Sequence, residues 1–285
     1  MSRSQIACAI DANTTTIVRV KSTGTASFTM TRCRTLNAGL DAMSGPRGKK
    51  AALKLCSILR EWRDEPVALS YSPSEILTLP AWFPAQTPSE KIDGLCRIEA
   101  GYFLKNTEAW AWDALAIERA PDQPAELDGQ MLMFYPSEPA NSIEKELKQD
   151  YLLGTCGLHI EPIARLSAGT TEPFPVLELE ERYAAYYVSV NGKIGYFRYW
   201  PIKNGSERDY FAISELTGSA AGDGPVMVTG SAANAETMKR IKRETSCNLQ
   251  PLGIPSRVTS TKGAGTGKSM TSMVRAVSTA LMALS

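Results

Sequence analysis

Short apolar runs separated by polar turns make up the N-terminal part of the chain. The runs Ile6–Asp11, Thr14–Val20 and Ala26–Thr31 are rich in apolar and β-branched side chains, which favour strands. They predict a meander of three short strands. Apolar residues then recur at helical spacing over residues 50–62, which predicts a helix, and the run Val67–Ser70 predicts a short buried strand.

The next region alternates between helices and strands and begins with three prolines that interrupt the chain. Thr87-Pro-Ser-Glu90 has the form of a capping box with proline at the first helical position, so we expect a helix to start there and to reach Phe103. The further elements predicted here are strands over residues 109–118 and 130–135, a helix over 141–153 and a strand over 159–166.

A second meander follows, and Asn191-Gly192 between two of its strands is a strong hairpin signal. The elements predicted in this part are strands over residues 176–179, 183–190, 194–201 and 226–229, and a helix over 234–246. The chain closes with an amphipathic helix from Met270. We expect its apolar face to lie in the core rather than on a membrane, because the opposite face carries a single base, Arg275.

Composition narrows the class of protein. The 285 residues suffice for one large or two modest domains, and 43% apolar with 21% charged residues is typical of a soluble globular protein. No window approaches ~18 consecutive apolar residues, so no membrane span is predicted, and the N-terminus has no signal-peptide pattern. The net charge of +1 gives no general attraction to nucleic acid. These features predict a cytoplasmic protein with no nucleic-acid partner.

Cysteine and histidine usage favours neither a disulfide framework nor a metal site. Six cysteines are widely spread with no CxxC pair, which is typical of reduced thiols in a cytoplasm. His159 is the only histidine in the sequence, and no partner motif surrounds it. We therefore interpret His159 as a structural residue and expect no metal.

The charges are unevenly distributed. Residues 1–50 contain eight bases and two acids, residues 75–150 contain fourteen acids and six bases, and residues 226–285 contain eight bases and two acids. Such asymmetry is compatible with a polar surface that binds a partner, and equally with the solvated faces of separate subdomains. The sequence leaves both interpretations open.

Four stretches, in order along the chain, carry a resemblance to a known family. Ile10–Val20 resembles a first phosphate loop, and Val176–Ile202 with the strand after it resembles a second phosphate hairpin and an adenosine motif. Between them, Leu79-Pro-Ala81, and Met131–Pro136 with Gly157–Pro162, are similar to the two ends of an inserted subdomain. Together they resemble the PilM-like type IV pilus assembly family of the actin-like ATPase superfamily, which is related to FtsA and to the cytoplasmic part of GspL.

The resemblance implies an α/β protein with an actin-like, ribonuclease H-like two-domain fold. The first half would span residues 1–175 with an inserted α/β subdomain at about 80–157, and a reduced second half would span residues 176–285. Only about twenty residues, 206–225, stand where the family has a lid subdomain. Most of that lid is therefore expected to be missing.

The phosphate loops depart from the family pattern in ways that weaken nucleotide binding. Asn13 replaces a glycine that lets the backbone approach an anion. The pair Glu178 and Glu180 replaces an Asp-x-Gly motif, so Glu180 places a negative charge where a phosphate would approach, although Arg182 is a candidate ion-pair partner for it. The resemblance thus implies a degenerate ATPase with no catalytic residues, and no cofactor is expected.

If a vestige of the nucleotide site persists, the resemblance places it at these residues: Asp11, Asn13, Thr14, Thr15, Glu178, Glu180, Gly230 and Ser231. The alternative is a working ATPase or kinase of the superfamily with ATP and magnesium, in which Asp11 is the candidate base. Lys262–Ser269 imitates a P-loop, but Lys262 stands where that motif needs glycine. We interpret it as a flexible loop, with an incidental anion contact left open.

The resemblance also implies a partner. In the family, the cytoplasmic tail of an inner-membrane PilN-like protein docks between the first half and the inserted subdomain. The candidate anchors here are the aromatic residues Trp82, Phe83, Tyr102 and Phe103. The acidic insertion suits a basic peptide. The expected role is a non-hydrolysing scaffold of a pilus or type II secretion-like assembly, peripheral to the inner membrane through its partner.

Overall fold

The computed structural model describes residues 3–44, 48–119, 124–218, 224–261 and 270–285. The Gly-rich stretch Lys262–Ser269 lies outside these residues. Three sheets organise the described chain, with six, five and three strands. Among the described residues no helix has the length and apolar character needed to cross a membrane.

The six-stranded sheet forms the first half. Its strands, from edge to edge, are β14 (Val258–Ser260), β3 (Phe28–Leu36), β2 (Thr15–Ser22), β1 (Ser4–Ile10), β4 (Val67–Tyr71) and β8 (Leu153–Leu158). The strands β1, β2 and β3 form the predicted antiparallel meander, and β4 and β8 add in parallel. This sheet is covered on both faces, so β1 is apolar from Ile6 to Ile10, as is usual for strands buried on both sides.

Side-chain size along β1 decides which helices cover each face. Ile6, Cys8 and Ile10 face a large core that includes residues of α2 (Gly48–Leu59) and α4 (Ser137–Leu147). The small residues Ala7 and Ala9 alternate with them and face the terminal helix α8 (Met270–Leu284), together with its Ala276 and Ala280. Small side chains on both sides let α8 lie close to the sheet.

The five-stranded sheet forms the second half. Its strands are β11 (Lys193–Pro201), β10 (Tyr183–Val190), β9 (Phe174–Leu179), β12 (Val226–Thr229) and β13 (Leu249–Pro251). The helices α6 (Gly205–Gly218) and α7 (Ala235–Thr245) pack on one face. Asn191 and Gly192 both have positive φ, at 48° and 77°, which confirms the predicted hairpin turn.

The two large sheets repeat one topology. In each, an antiparallel meander is followed by two parallel strands on the side of its first strand, giving the orders β3-β2-β1-β4-β8 and β11-β10-β9-β12-β13. The inserted unit is a three-stranded antiparallel sheet of β5 (Leu77–Pro84), β7 (Leu127–Pro136) and β6 (Trp110–Ala116), packed against α3 (Ser89–Phe103). The predicted division of the chain into two halves at residue 175 stays a prediction. Two elements that follow this residue, β14 and α8, pack with the sheet of the first half.

Several predicted elements are corrected. The strand predicted over residues 159–166 is the short helix α5 (Ile160–Ala164), with the strand β8 just before it. The helix predicted to reach residue 153 ends at Leu147. Residues 206–225, for which no element was predicted, include most of the helix α6. The capping box at Thr87 does not form, because α3 begins at Ser89 and Thr87 hydrogen-bonds to Pro84 O instead.

Candidate functional site

The first loop, Asp11–Thr14, joins β1 to β2 and is fixed by its backbone. Asp11 N donates to Thr14 O at 2.8 Å, and Leu40 N, at the start of the short helix α1 (Leu40–Met43), donates to Asp11 O at 2.9 Å. A Cβ on Gly39 would lie 2.1 Å from Asp11 O, so only glycine allows this approach. Asp11, Asn13 and Thr14 line a cleft of about 260 Å³ between the halves.

The second loop follows β9 and is fixed by a glycine and a carboxylate. Gly230, with φ of 116°, follows β12 and lies so close that a Cβ would be 2.1 Å from Leu179 O. Ser231 N donates to Glu180 Oε2 at 3.1 Å, and Ser231 Oγ donates to the same oxygen. The Glu180 carboxylate therefore accepts the amide hydrogen of Ser231, which would otherwise be available to an anion bound at this turn.

Arg275, from the second turn of α8, lies between the two loops. Its Nη1 is 2.8 Å from Asp11 Oδ1, its Nη2 is 2.8 Å from Glu180 Oε1, and the same nitrogen is 3.7 Å from Glu178 Oε1. The residue is 1% exposed. One guanidinium thus contacts three carboxylates that belong to both halves.

The first turn of α8 strengthens this contact with hydroxyl groups. Ser272 Oγ donates to Asp11 Oδ2 at 2.8 Å. Gly230 N donates to Thr271 Oγ1 at 3.3 Å. The same segment of helix therefore binds the first loop and the glycine turn after β12, and its side chains line the cleft between them.

Glu178 is also hydrogen-bonded to His159. His159 Nε2 lies 2.7 Å from Glu178 Oε2, and His159 Nδ1 lies 2.9 Å from Tyr71 O. Both ring nitrogens thus lie within hydrogen-bond distance of an oxygen, so the imidazole is held on both sides. Burial alone would raise the pKa of Glu178, but electrostatic attraction to His159 and Arg275, with the hydrogen bonds from His159 and Tyr187, outweighs burial and lowers the pKa to about 2.

The structure brings together three of the eight predicted nucleotide-site residues around Arg275, namely Asp11, Glu178 and Glu180. Asn13, Thr14 and Ser231 line the same cleft, and Gly230 forms the turn beside it. Thr15 is turned away, because its Oγ1 donates to Ala38 O at 2.7 Å inside the first half.

Two expectations about arginines are wrong. Arg182 does not pair with Glu180; its Nη2 lies 2.8 Å from Asp41 Oδ2. Arg275 does not lie on a polar helix face, because nearly all of α8 from Ser272 to Leu281 is buried. The signal that sequence reasoning passed over is a lone base inside an apolar helix, a charge that needs buried counter-charges.

A second cleft, of about 300 Å³, lies between the inserted unit and the first half; we call it the groove. It runs between β8, an edge strand of the first sheet, and β6, an edge strand of the inserted sheet. Residues that line it are Ile92, Asp93, Cys96, Trp112, Asp113, Ala114, Thr155, Cys156, Gly157, Leu158, Glu161, Pro162 and Met282. Three of them are carboxylic acids, and none is a base.

Asp113 joins the two walls of the groove. Its carboxylate accepts a hydrogen bond from Leu158 N in β8 and another from the Tyr135 hydroxyl in β7. Burial raises the pKa of Asp113 to about 7, and the nearby Glu161 and Glu144 add to this effect against the two hydrogen bonds. The carboxyl is thus poised to change charge near neutral pH.

None of the four predicted aromatic anchors lines this groove. Phe83 is a core residue at 6% exposure, and the Trp82 ring covers Gly129 of the neighbouring strand. Phe103 stacks on Phe134 with ring centroids 5.6 Å apart, and Tyr102 is 86% exposed. Trp112 is the aromatic residue that faces the groove.

Known proteins with this architecture are found among solved structures. No family profile matches the sequence, and no curated protein matches it. The structure titled PilM-PilN type IV pilus biogenesis complex aligns with 13% identity and a TM-score of 0.70, covering 98% of this chain and 97% of the other.

Two further structures are similar at lower scores. The cytoplasmic domain of EpsL, an inner membrane component of the Vibrio cholerae type II secretion system, aligns with 10% identity and a TM-score of 0.52, covering 98% and 95% of the two chains. A Bacteroides thetaiotaomicron protein with an actin-like ATPase fold aligns with 8% identity and a TM-score of 0.52, covering 92% of each. The actin-like fold and the likeness to PilM are confirmed.

Proposed function

We propose that this protein is a non-hydrolysing actin-like scaffold of a pilus or type II secretion-like assembly, located in the cytoplasm and held at the inner membrane by a partner. The similarity to a PilM–PilN complex and to the cytoplasmic domain of an inner-membrane secretion component supports the setting. The observation that carries the non-hydrolysing role is the position of Arg275 between the two phosphate-type loops.

A magnesium–nucleotide does not fit these residues. Its metal would have to displace the Arg275 guanidinium from Asp11 and Glu180, and its phosphates would meet Glu180 on the amide of Ser231. Asp11, the candidate base of a working ATPase, is already bound by Arg275 and Ser272. The displaced guanidinium, which is 1% exposed, would be left buried without its carboxylates, at a cost of about 3–5 kcal/mol.

The test is thermal unfolding with and without magnesium–ATP. A ligand at 100 times its dissociation constant stabilises a fold by about 2.7 kcal/mol. We expect no change in melting temperature. A clear rise that Asp11→Ala abolishes would establish the alternative, a nucleotide-binding ATPase or kinase.

The groove supports the partner half of the proposal. Two strand edges, β6 and β8, face each other across it, and a free strand edge is a surface on which an extended peptide adds by backbone hydrogen bonds. Asp93, Asp113 and Glu161 give it acidic side chains, which suits the basic part of a peptide. We propose that it binds a cytoplasmic segment of a PilN-like inner-membrane protein.

This docking is testable with a matched pair of variants. Thr155→Trp places a large ring in the groove, and Thr217→Trp makes the same change on the exposed face of α6 in the second half. Labelled peptides from the cytoplasmic segments of inner-membrane pilus and secretion proteins of the source organism serve as ligands in fluorescence anisotropy. We expect one of them to bind the unchanged protein and Thr217→Trp, but not Thr155→Trp. Binding that survives Thr155→Trp would place the partner elsewhere.

A further inference from the structure

We call the cluster of Arg275 with Asp11, Glu178, Glu180 and His159 the buried centre between the halves. One short segment, residues 157–162, contacts both the groove and this buried centre. It contains the end of β8 and the beginning of α5. Gly157, Leu158, Glu161 and Pro162 line the groove. His159, between them, points instead to Glu178 of the second half. Adjacent residues of one chain segment therefore contact the groove and Glu178 at the buried centre.

At the groove, Asp113 lies directly on this segment. Its carboxylate accepts the Leu158 amide hydrogen. A Cβ at position 157 would lie 2.7 Å from Asp113 Oδ2, so the glycine is what allows the carboxylate to reach the strand. A ligand group that binds Asp113 Oδ2 competes with this amide.

At the buried centre, His159 makes three hydrogen-bond contacts, two of them to the same oxygen. Its backbone N donates to Tyr71 O at 3.0 Å, its Nδ1 lies 2.9 Å from the same oxygen, and its Nε2 lies 2.7 Å from Glu178 Oε2. His159 and Glu178 are fully buried, and Arg275 also contacts Glu178. The ring has no room to adjust without changing a charged hydrogen bond.

We propose that the groove and the buried centre are energetically coupled through residues 157–162. A ligand that draws Asp113 from the Leu158 amide shifts Leu158, and the rigid peptide plane shared with His159 carries the shift to the His159–Glu178 pair. Coupling is reciprocal, so loosening the centre also loosens the groove wall. The biological role of this coupling rests on the proposed function: a partner bound in the groove would change the contact that holds the halves together.

The first experiment uses His159, the only histidine of the sequence, as a reporter. Its imidazole signals are recorded by NMR in the unchanged protein, in Asp113→Ala, and in Asp113→Asn, which keeps an acceptor for the Leu158 amide. Asp93→Ala is the matched control, because Asp93 lines the same groove but bonds to Arg97 at 3.1 Å. We expect the signals to move in Asp113→Ala, to return in Asp113→Asn and to stay unchanged in Asp93→Ala.

The second experiment runs in the opposite direction. Glu178→Gln keeps the shape of the side chain but removes its charge, and amide hydrogen exchange is measured at Leu158. We expect exchange at least fivefold faster, the lower end of ordinary coupling between sites. Glu181→Gln, on the exposed side of the other cleft, is the control. It should leave Leu158 unchanged.

Unchanged His159 signals in a folded Asp113→Ala, or a Leu158 exchange rate within twofold of normal in Glu178→Gln, would overturn the coupling. If Asp113→Ala does not fold, the exchange measurement decides by itself. Neither experiment needs a partner, so failure of every peptide to bind the groove would remove the proposed function and leave this result standing.

Discussion

Glu178 and Asp113 are two buried carboxyl groups with opposite acid–base behaviour. Burial raises the pKa of each, yet the pKa of Glu178 falls to about 2 and that of Asp113 rises to about 7. The difference lies in their neighbours. Glu178 faces the guanidinium of Arg275 and a hydrogen bond to His159, whereas Asp113 faces two hydrogen-bond donors and the acids Glu161 and Glu144.

The two carboxyl groups belong to sites that differ in the counter-charges supplied by the chain. At the buried centre three carboxylates, Asp11, Glu178 and Glu180, share the guanidinium of Arg275, so a cation from the chain itself lies among them. At the groove Asp93 pairs with Arg97 and Glu161 pairs with Arg165. Asp113 instead faces hydrogen-bond donors and further acids, and a basic group from outside would supply its cation. The cleft between the halves thus has a buried cation of its own beside its carboxylates, while the groove keeps a carboxyl group that has none.

The largest expected effect comes from removing the central cation. Arg275→Met keeps the length of the apolar stem but leaves three carboxylates together in the interior. We expect a loss of about 3–5 kcal/mol in the free energy of unfolding. Guanidinium denaturation followed by tryptophan fluorescence measures it. A loss below about 1 kcal/mol would show that the centre is not held by this charge.

A smaller effect is expected from acid. Because the folded pKa of Glu178 lies at about 2, below its ordinary value of 4.5, its contribution to stability is fully present above about pH 4.5 and is lost as the pH falls toward 2. The shift corresponds to about 3 kcal/mol. Urea unfolding at several pH values should show this slope, and Glu178→Gln should flatten it over the same window. An unchanged slope in the variant would assign acid unfolding to other groups.

Asp113 should give the opposite slope. Its folded pKa of about 7 lies above its ordinary value of 3.8, so the folded state binds more protons and stability should fall as the pH rises from about 4 to 7. The upper bound is about 4 kcal/mol, and we expect about half, because the side chain is partly exposed. Asp113→Asn should remove this decline in pH-dependent urea unfolding. The groups facing Asp113 that could mask the effect are Glu144, Glu161, Cys156 and Tyr135.

The smallest effect belongs to the other arginine at the border of the halves. Arg182 pairs with Asp41, but both side chains are exposed, at 55% and 40%. Arg182→Met should change the free energy of unfolding by less than about 0.5 kcal/mol. Measured beside Arg275→Met, it serves as the matched control for loss of an arginine. A loss as large as that of Arg275→Met would contradict the contrast between buried and exposed pairs.

Local patterns predicted most strands but failed where the chain context decides. The Asn191-Gly192 turn was predictable because its two residues fix their own geometry. The strand β5 was missed because Pro80 and Pro84 were interpreted as breaks. It is an edge strand of its sheet, where a missing backbone donor is tolerated. The helix α5 has five residues, too few for helical spacing to show.

The buried centre was predictable only in part. Asp11, Glu178 and Glu180 followed from the resemblance, as residues standing where phosphate loops lie. Arg275 could not be joined to them, because it is separated from Asp11 by 264 residues and only the fold makes them neighbours. Likewise, nothing near Asp113 in sequence shows that it meets the Leu158 amide.

The return of β14 and α8 to the first sheet has a consequence for synthesis on the ribosome. Thr29 and Thr259, hydrogen-bonded between β3 and β14, are 230 residues apart, and the face of β1 formed by Ala7 and Ala9 stays uncovered until α8 has emerged. The N-terminal sheet is therefore made first and completed last. During translation it exposes an apolar face and an open strand edge, and these are the surfaces of a nascent chain that chaperones protect from aggregation.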